Sequence, residues 1–241
     1  MNVTELVRGM KDMRPAMLPA LLVGIVGLGA YVFLELADEV GENEMDGIDR
    51  ALLLAFRNPD DLSDPVGPPW LEETITEITS LGGYPILVAL IAAVTGYLLV
   101  TRKYGPALFV VLSTGLGTAV SHVLKLAYER PRPDLVDHLV TTQTASFPSG
   151  HATMSAIVYL TLAALIVRLV ETTRERVYVM GAAILLTVAV GFSRVYLGVH
   201  WPSDVAAGWA LGAAWASLSW LAVSMLRAMR GRASPQDSQD R

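Results

Sequence analysis

The sequence predicts an all-α integral membrane protein with six transmembrane helices and a helical extracytoplasmic hairpin between helices 1 and 2. Three observations carry this prediction. First, 53% of the 241 residues are hydrophobic and only 17% are charged, fewer than in a typical soluble chain. Second, six apolar windows of about 20 residues are each long enough to cross the hydrocarbon core. Third, basic residues concentrate in alternate short loops, which indicates a fixed orientation in the membrane.

The six predicted helices leave one long interruption after the first. They cover residues 16–36, 84–101, 106–126, 150–169, 178–196 and 203–226. The first helix resembles a signal peptide because basic residues precede it, but it lacks a small-residue cleavage site, which favours a retained anchor. A polar tail follows at 228–241. No repeat or shift of composition divides the chain, so residues 1–241 are expected to form a single domain.

The distribution of Lys and Arg predicts the side on which each loop lies. With a cytoplasmic N-terminus, the inner segments hold about twelve of the 18 basic residues, as the positive-inside rule requires. Both termini are therefore expected in the cytoplasm, and the protein is expected to be a multi-pass protein of the cell (inner) membrane. The loop at 37–83 holds about a dozen acidic residues against Arg50 and Arg57 and is expected on the outer face.

Loop 37–83 is predicted to contain two short helices separated by prolines. Asp46 is expected to cap the first helix, and Trp70 to about Leu81 to form the second. One side of the first helix is apolar: Ile48, Leu52, Ala55 and Phe56. A hairpin lying on the membrane surface is the simplest interpretation. A substrate lid is the alternative, although no residue of the loop is assigned to chemistry.

The composition also narrows the chemistry that the chain offers. It has no cysteine, which excludes disulfides, thiolate metal sites and cysteine nucleophiles. Imidazole chemistry rests on four histidines: His122, His138, His151 and His200. The net charge of −5 argues weakly against nucleic acid as a partner. No metal or other cofactor is expected, and the oligomeric state is left open.

Three segments combine polar residues that a membrane protein normally avoids. They are Lys125-(x6)-Arg132-Pro133, Pro148-Ser149-Gly150-His151 and Ser193-Arg194-(x5)-His200-(x3)-Asp204. Under the predicted topology, all three lie at the outer ends of helices 3 to 6. Since these ends belong to neighbouring helices, we expect the segments to converge on one site.

Lys125, Arg132 and Arg194 are predicted to bind one anion between them. A cation near the hydrocarbon boundary is costly unless it is paired or functional, and the donors of arginine match phosphate oxygens. Two alternatives stay open at this stage. Lys125 could extend to the headgroups, or Glu129 and Asp134 could pair with the cations.

Pro148 is predicted to occupy the first position of helix 4, with Ser149 and Gly150 in the first turn. The free N–H groups there, together with the helix dipole, favour an anion. Gly150 would allow phosphate close to the backbone, and Ser149 would add a hydroxyl donor. His151 is then placed to protonate a leaving alkoxide, although an interfacial histidine is the alternative.

His200 and Asp204 are one helical turn apart at the start of helix 6. This spacing brings the carboxylate to the imidazole, where it would accept from Nδ1–H and leave Nε2 unprotonated. A histidine held in this way is activated as a nucleophile. The alternative is that Asp204 only caps the helix.

Together the three segments resemble the signature of the type-2 phosphatidic acid phosphatase superfamily: K-x6-R-P, P-S-G-H and S-R-x5-H-x3-D. Every position of this signature is present. The resemblance implies a metal-independent membrane phosphatase in which His200 attacks phosphorus, Asp204 orients His200 and His151 protonates the leaving oxygen. Five residues would hold the phosphate oxygens: Lys125, Arg132, Ser149, Gly150 and Arg194. Water would then hydrolyse the phosphohistidine.

The expected substrate is a lipid phosphate whose chains stay in the membrane. Phosphatidate, phosphatidylglycerophosphate and undecaprenyl diphosphate all fit this geometry. A phosphotransferase using the same phosphohistidine is the alternative, ahead of a non-catalytic transporter or binding protein, for which inverted repeats are missing.

Four residues near the site keep no assigned role. His122 lies one turn before Lys125 and is expected to be buried or in a helix contact, with a position facing the cavity as the alternative. Arg130, Tyr196 and Trp201 are expected within reach of a headgroup, or the two aromatics in an interfacial belt.

Overall fold

The computed structural model describes residues 3–232 except 43, 137 and 141–143, with side chains from residue 17 to residue 229. The described chain is mostly helical, as predicted. Its helices are α1 (Val3–Gly41), α2 (Asp46–Leu54), α3 (Pro69–Ser80), α4 (Tyr84–Val100), α5 (Tyr104–Tyr128), α6 (Gly150–Ile166), α7 (Thr173–Tyr196) and α8 (Pro202–Arg232). Two short strands, β1 (Arg57–Asn58) and β2 (Asp61–Pro65), form an antiparallel pair. Most of the predicted polar tail, from residue 233 onward, lies outside the described residues.

Each predicted transmembrane window coincides with one helix of the structure. Four helices are long and apolar enough to cross a membrane: Met17–Gly41, Tyr104–Tyr128, Thr173–Tyr196 and Pro202–Met229. A fifth span arises if α3 and α4, bent by 46° at their junction, are counted together. Helix α6 has 17 residues, about 26 Å at the usual rise. The protein is therefore a membrane protein, whereas the count of six spans is not confirmed.

Helix α6 lies at the centre of the bundle, with α5, α7 and α8 around it. Small residues allow α8 to approach it closely. A Cβ on Gly212 would lie 2.4 Å from the Cβ of Ala156, and one on Gly208 would lie 3.0 Å from the backbone oxygen of Ser149. Such contacts between small residues stabilise helix pairs in membranes. The N-terminus of α6 is thereby held against the start of α8.

The start of α6 differs from the prediction. The helix begins at Gly150, and Ser149 is its N-cap, whose side chain accepts from the backbone N–H of Ala152 at 3.5 Å. Pro148 therefore precedes the helix and does not occupy its first position. The helix therefore starts two residues later than predicted, with a serine at the cap that satisfies one of its free N–H groups.

The segment between α1 and α4, residues 42–83, contains both predicted short helices, but the helical hairpin is not confirmed. The β1–β2 ribbon lies between the helices, where only proline breaks were expected. Asp46 does not cap α2: the N-cap is Met45, and no side chain caps this end. Asp49 and Leu53 are buried, whereas Ile48 and Leu52 are about half exposed. Helix α2 therefore packs on the bundle through the face that carries Asp49.

Candidate active site

A cavity of about 750 Å³ lies among the ends of α3, α5 and α7, the start of α6 and the loops beside them. All three predicted cations and two histidines line it: Lys125, Arg132, Arg194, His151 and His200. Gly150 also lines it. The three polar segments of the sequence therefore converge on one site.

His200 is buried, with only 1% of its surface exposed. Its Nδ1 lies 3.3 Å from Oδ2 of Asp204, the contact that the one-turn spacing predicted. Its Nε2 lies 3.1 Å from Nη1 of Arg132. Because arginine only donates hydrogen bonds, this contact assigns the lone pair to Nε2 and the proton to Nδ1. The ring is thus held with its nucleophilic nitrogen toward the cavity.

Asp204 is fully buried behind His200. Its Oδ2 accepts from the backbone N–H of Trp201 at 2.9 Å and from the hydroxyl of Ser146. Its Oδ1 accepts from Nη1 of Arg130 at 2.7 Å. The carboxylate therefore caps the start of α8 and also contacts the imidazole, so the alternative that Asp204 only caps the helix is wrong.

Burial holds the pKa of His200 well below its ordinary value, and the charges of Arg132, Arg194 and Lys125 lower it further. Desolvation and nearby cations both disfavour the imidazolium. His200 is therefore neutral in the free protein near pH 7. A neutral imidazole is the form that carries a nucleophilic lone pair.

The three cations bind backbone and hydroxyl oxygens. Lys125 donates to the carbonyl of Ala145 at 2.7 Å. Arg132 donates to the carbonyls of Thr144 at 2.8 Å and Val199 at 2.5 Å.

Arg194 donates to the hydroxyl of Thr79 at 2.9 Å, while its buried Nε has no partner among the described atoms. No ion pair joins any of the three cations to a carboxylate in the described part of the chain. The alternatives of pairing with Glu129 or Asp134 and of an outward-pointing Lys125 are therefore wrong.

Gly150 and Ser149 occupy different environments. A Cβ on Gly150 would lie 3.3 Å from Cε of Lys125, so glycine leaves room for the lysine beside the helix N-terminus. Ser149 is fully buried and does not line the cavity. Its backbone N–H donates to the carbonyl of Asp204 at 3.0 Å, which joins the starts of α6 and α8.

Four neighbouring residues had no assigned role. His122 is exposed and lines the cavity; its position one turn before Lys125 was the available signal. Tyr196 and Trp201 are buried and outside the cavity lining, donating to the carbonyls of Val66 and Pro131. Arg130 lies behind Asp204, outside the cavity lining. These three residues therefore tie loops to helix ends and lie outside the cavity lining.

Two residues of the site were missed because they belong to the segment between α1 and α4. Thr79 of α3 holds Arg194, and Asp49 of α2 holds Arg130 at 2.8 Å. The available signal for Asp49 was its position one turn before Leu53, which places an acid on the buried face of an amphipathic helix. No local pattern marked Thr79.

Comparison with known proteins gives consistent matches. The sequence matches the PAP2 superfamily over residues 106–228. It is 36% identical over 183 residues to phosphatidylglycerophosphatase B of Bacillus subtilis (strain 168), covering 75% of this chain and 85% of that protein. It is 36% identical over 127 residues to undecaprenyl-diphosphatase of Sulfolobus acidocaldarius, covering 49% of this chain and 56% of that protein.

A solved structure agrees with these sequence matches. The crystal structure of a transmembrane PAP2 type phosphatidylglycerolphosphate phosphatase from Bacillus subtilis resembles this chain with a TM-score of 0.70 at 31% identity. The alignment covers 88% of this chain and 98% of that one.

A bundle of membrane-crossing helices with a cationic cavity at the helix ends defines a polytopic membrane protein with a cavity suited to binding an anion. The family match covers about half of the chain, and the Bacillus relative is matched over most of its length. The chain belongs to the PAP2 superfamily, and it is a phosphatase.

Proposed function

We propose that this protein hydrolyses a phosphate ester or diphosphate of a membrane lipid through a phosphohistidine at His200. One observation carries the proposal: three cations that pair with no carboxylate among the described residues line one cavity with a buried histidine, and one of them, Arg132, donates to Nε2 of that histidine. The position of the cavity at the ends of membrane helices lets lipid chains remain in the bilayer. The names of the relatives support phosphatidylglycerophosphate or undecaprenyl diphosphate as the substrate, with phosphatidate as a further candidate.

In the proposed first step, Nε2 of His200 forms a bond to phosphorus as the bond to the lipid oxygen breaks. Arg132 leaves Nε2 and binds the phosphate oxygens together with Lys125 and Arg194. The Gly150 amide contributes a further donor at the start of α6, whereas the Ser149 hydroxyl, expected from the sequence to bind phosphate, is buried outside the cavity lining and caps the helix. Donors fixed in advance around the spreading negative charge stabilise the transition state of phosphoryl transfer.

His151 completes the proton balance of both steps. In the complex with an anionic phosphate, which offsets the charges of the three cations, protonated His151 donates its proton to the departing lipid alkoxide. In the second step it takes one back from the attacking water. That water forms its bond to phosphorus as the P–N bond breaks, which releases inorganic phosphate and regenerates neutral His200. Asp204 keeps the proton on Nδ1 throughout and stabilises the positive charge on the phosphorylated ring.

The test of this function is phosphate release from phosphatidylglycerophosphate in mixed detergent micelles with EDTA present. We expect the rate to stay within about twofold of the rate without chelator, because the mechanism assigns charge stabilisation to protein cations. Phosphatidate and undecaprenyl diphosphate serve as parallel substrates, and an added acceptor lipid tests for phosphotransfer. Loss of activity that Mg²⁺ restores would contradict the proposed mechanism.

We also propose that the site opens on the outer face, with both termini in the cytoplasm. Because the chain has no cysteine, single cysteines report the topology. We expect Asp134→Cys, in the exposed loop after α5, to react with an impermeant maleimide added to intact cells. Glu171→Cys, in the exposed loop between α6 and α7, should react only after lysis and is the matched control. The reverse pattern of labelling would invert the topology.

A further inference from the structure

A buried polar network joins Asp49 of α2 to Asp204 of α8 through Arg130. Arg130 donates through Nη1 to Asp204 at 2.7 Å and through Nη2 to Asp49 at 2.8 Å. Asp49 also accepts from the backbone N–H of Ser203 at 2.9 Å and from its hydroxyl at 2.5 Å. Each of these four residues is at most 8% exposed. One guanidinium therefore bridges two carboxylates directly behind the proposed nucleophile.

The charges of this network differ from those of a simple ion pair. If Arg130 faced Asp204 alone, the two charges would cancel. Asp49 occupies the other side of the guanidinium, so with both carboxylates ionised the group keeps one net negative charge. That charge acts through a buried medium, where electrostatic interactions are stronger than in water. A phosphorylated imidazole that keeps its Nδ1 proton carries one positive charge, which this network balances.

We propose that Asp49 is a positioning residue for the phosphatase reaction, which acts through Arg130 on Asp204 and so stabilises the positive charge that forms on His200. The inference rests on the function proposed above. Asp49 does not line the cavity, so it does not touch substrate. The segment between α1 and α4 thereby contributes to the chemistry as well as covering the bundle.

Other charged and titratable groups also act on His200 and must be held constant in a test. Arg132 lies in the loop after α5, Lys125 is on α5, His151 is on α6 and Arg194 is on α7. Behind His200 lie Asp204 and Arg130, and the half-exposed Asp46 of α2 lies 3.9 Å from Nη2 of Arg130. None of the cavity groups is altered by a change at Asp49. Comparing variants on one substrate also keeps the titration of the phosphate itself constant.

The experiment measures kcat/KM as a function of pH and compares its acid limb, the pH at which kcat/KM falls on the acid side, in two single variants. These variants change the network charge in opposite directions. Asp49→Asn removes a negative charge, so we expect the acid limb to move down by about one pH unit. We expect kcat to fall about tenfold with KM little changed, because a charge lost in the intermediate is not felt in substrate binding. Arg130→Gln removes a positive charge, so the limb should move up.

Two further variants complete the design. The double variant Asp49→Asn/Arg130→Gln keeps the net charge of the network, so its acid limb should return to the wild-type pH. Glu73→Gln removes an exposed charge from the same segment and should change neither the limb nor kcat. Thermal unfolding in detergent monitors folding of every variant.

The pH of the acid limb decides whether Asp49 acts on His200. An acid limb that stays at the wild-type pH in a folded single variant overturns the proposal and leaves Asp49 a packing role. Either single variant decides alone, because its sign is specified in advance. A double variant whose limb stays displaced also overturns it. These results differ from failure of the proposed function, in which His200→Ala would remain active.

Discussion

Replacing His200 with alanine is expected to abolish phosphate release, with a loss of at least about 10⁴-fold in kcat. The variant removes the atom that bonds to phosphorus. Among the described residues, no other histidine has one ring nitrogen against Arg132 and the other against Asp204. Loss of a covalent nucleophile removes the whole double-displacement route. The measurement is phosphate release together with rapid-quench trapping of labelled phosphoenzyme, which should fall below detection.

The matched control is His138→Ala. His138 is exposed, contacts the carbonyl of Pro133 and does not line the cavity, so activity within a few-fold of wild type is expected. Phosphoenzyme that persists in His200→Ala but disappears in His151→Ala would move the nucleophile to α6. Activity that persists without any phosphoenzyme would instead indicate direct attack by water.

The sequence predicted those parts of the molecule that depend on local pattern. Apolar windows located the membrane helices because a bilayer imposes a length on them. The one-turn spacing of His200 and Asp204 predicted their contact because residues four apart lie on one helix face. The three cations were found because a charge at the hydrocarbon boundary is energetically costly unless it is paired or functional.

Features that depend on distant parts of the chain were not predictable in this way. Asp49 meets Ser203 across 154 positions of sequence, and Thr79 meets Arg194 across 115. The local sequence around each of these residues does not indicate which distant residue it contacts. Their segment looked acidic and solvated because most of its acids are exposed, while the one fully buried acid, Asp49, was hidden among them.

The environment of His122 also depends on distant parts of the chain. Its helix was predicted correctly, but the face of α5 that meets the cavity depends on how α5 packs against α6. A histidine within one turn of Lys125 is compatible with either a helix contact or the cavity until that packing is known. Sequence therefore specified which residues carry chemistry more reliably than which residues surround them.

Asp204→Asn is expected to lower kcat by about 10³-fold while leaving the fold intact. Arg130 lies against Oδ1, so the amide oxygen of asparagine would face that cation, and the amide nitrogen would take the place of Oδ2 beside His200. An N–H group there favours the tautomer with its lone pair on Nδ1 and its proton on Nε2. The nitrogen that faces the cavity would then have no lone pair with which to attack phosphorus.

The measurement for Asp204→Asn is kcat and KM for phosphate release, with thermal unfolding as the check on folding. Arg130 keeps its partner Asp49 in this variant, so no buried cation is left unpaired and the folded state should survive. Asp134→Asn, the same change at an exposed acid in the loop after α5, should retain wild-type activity. A loss of less than tenfold in Asp204→Asn would mean that the carboxylate does not set the tautomer of His200.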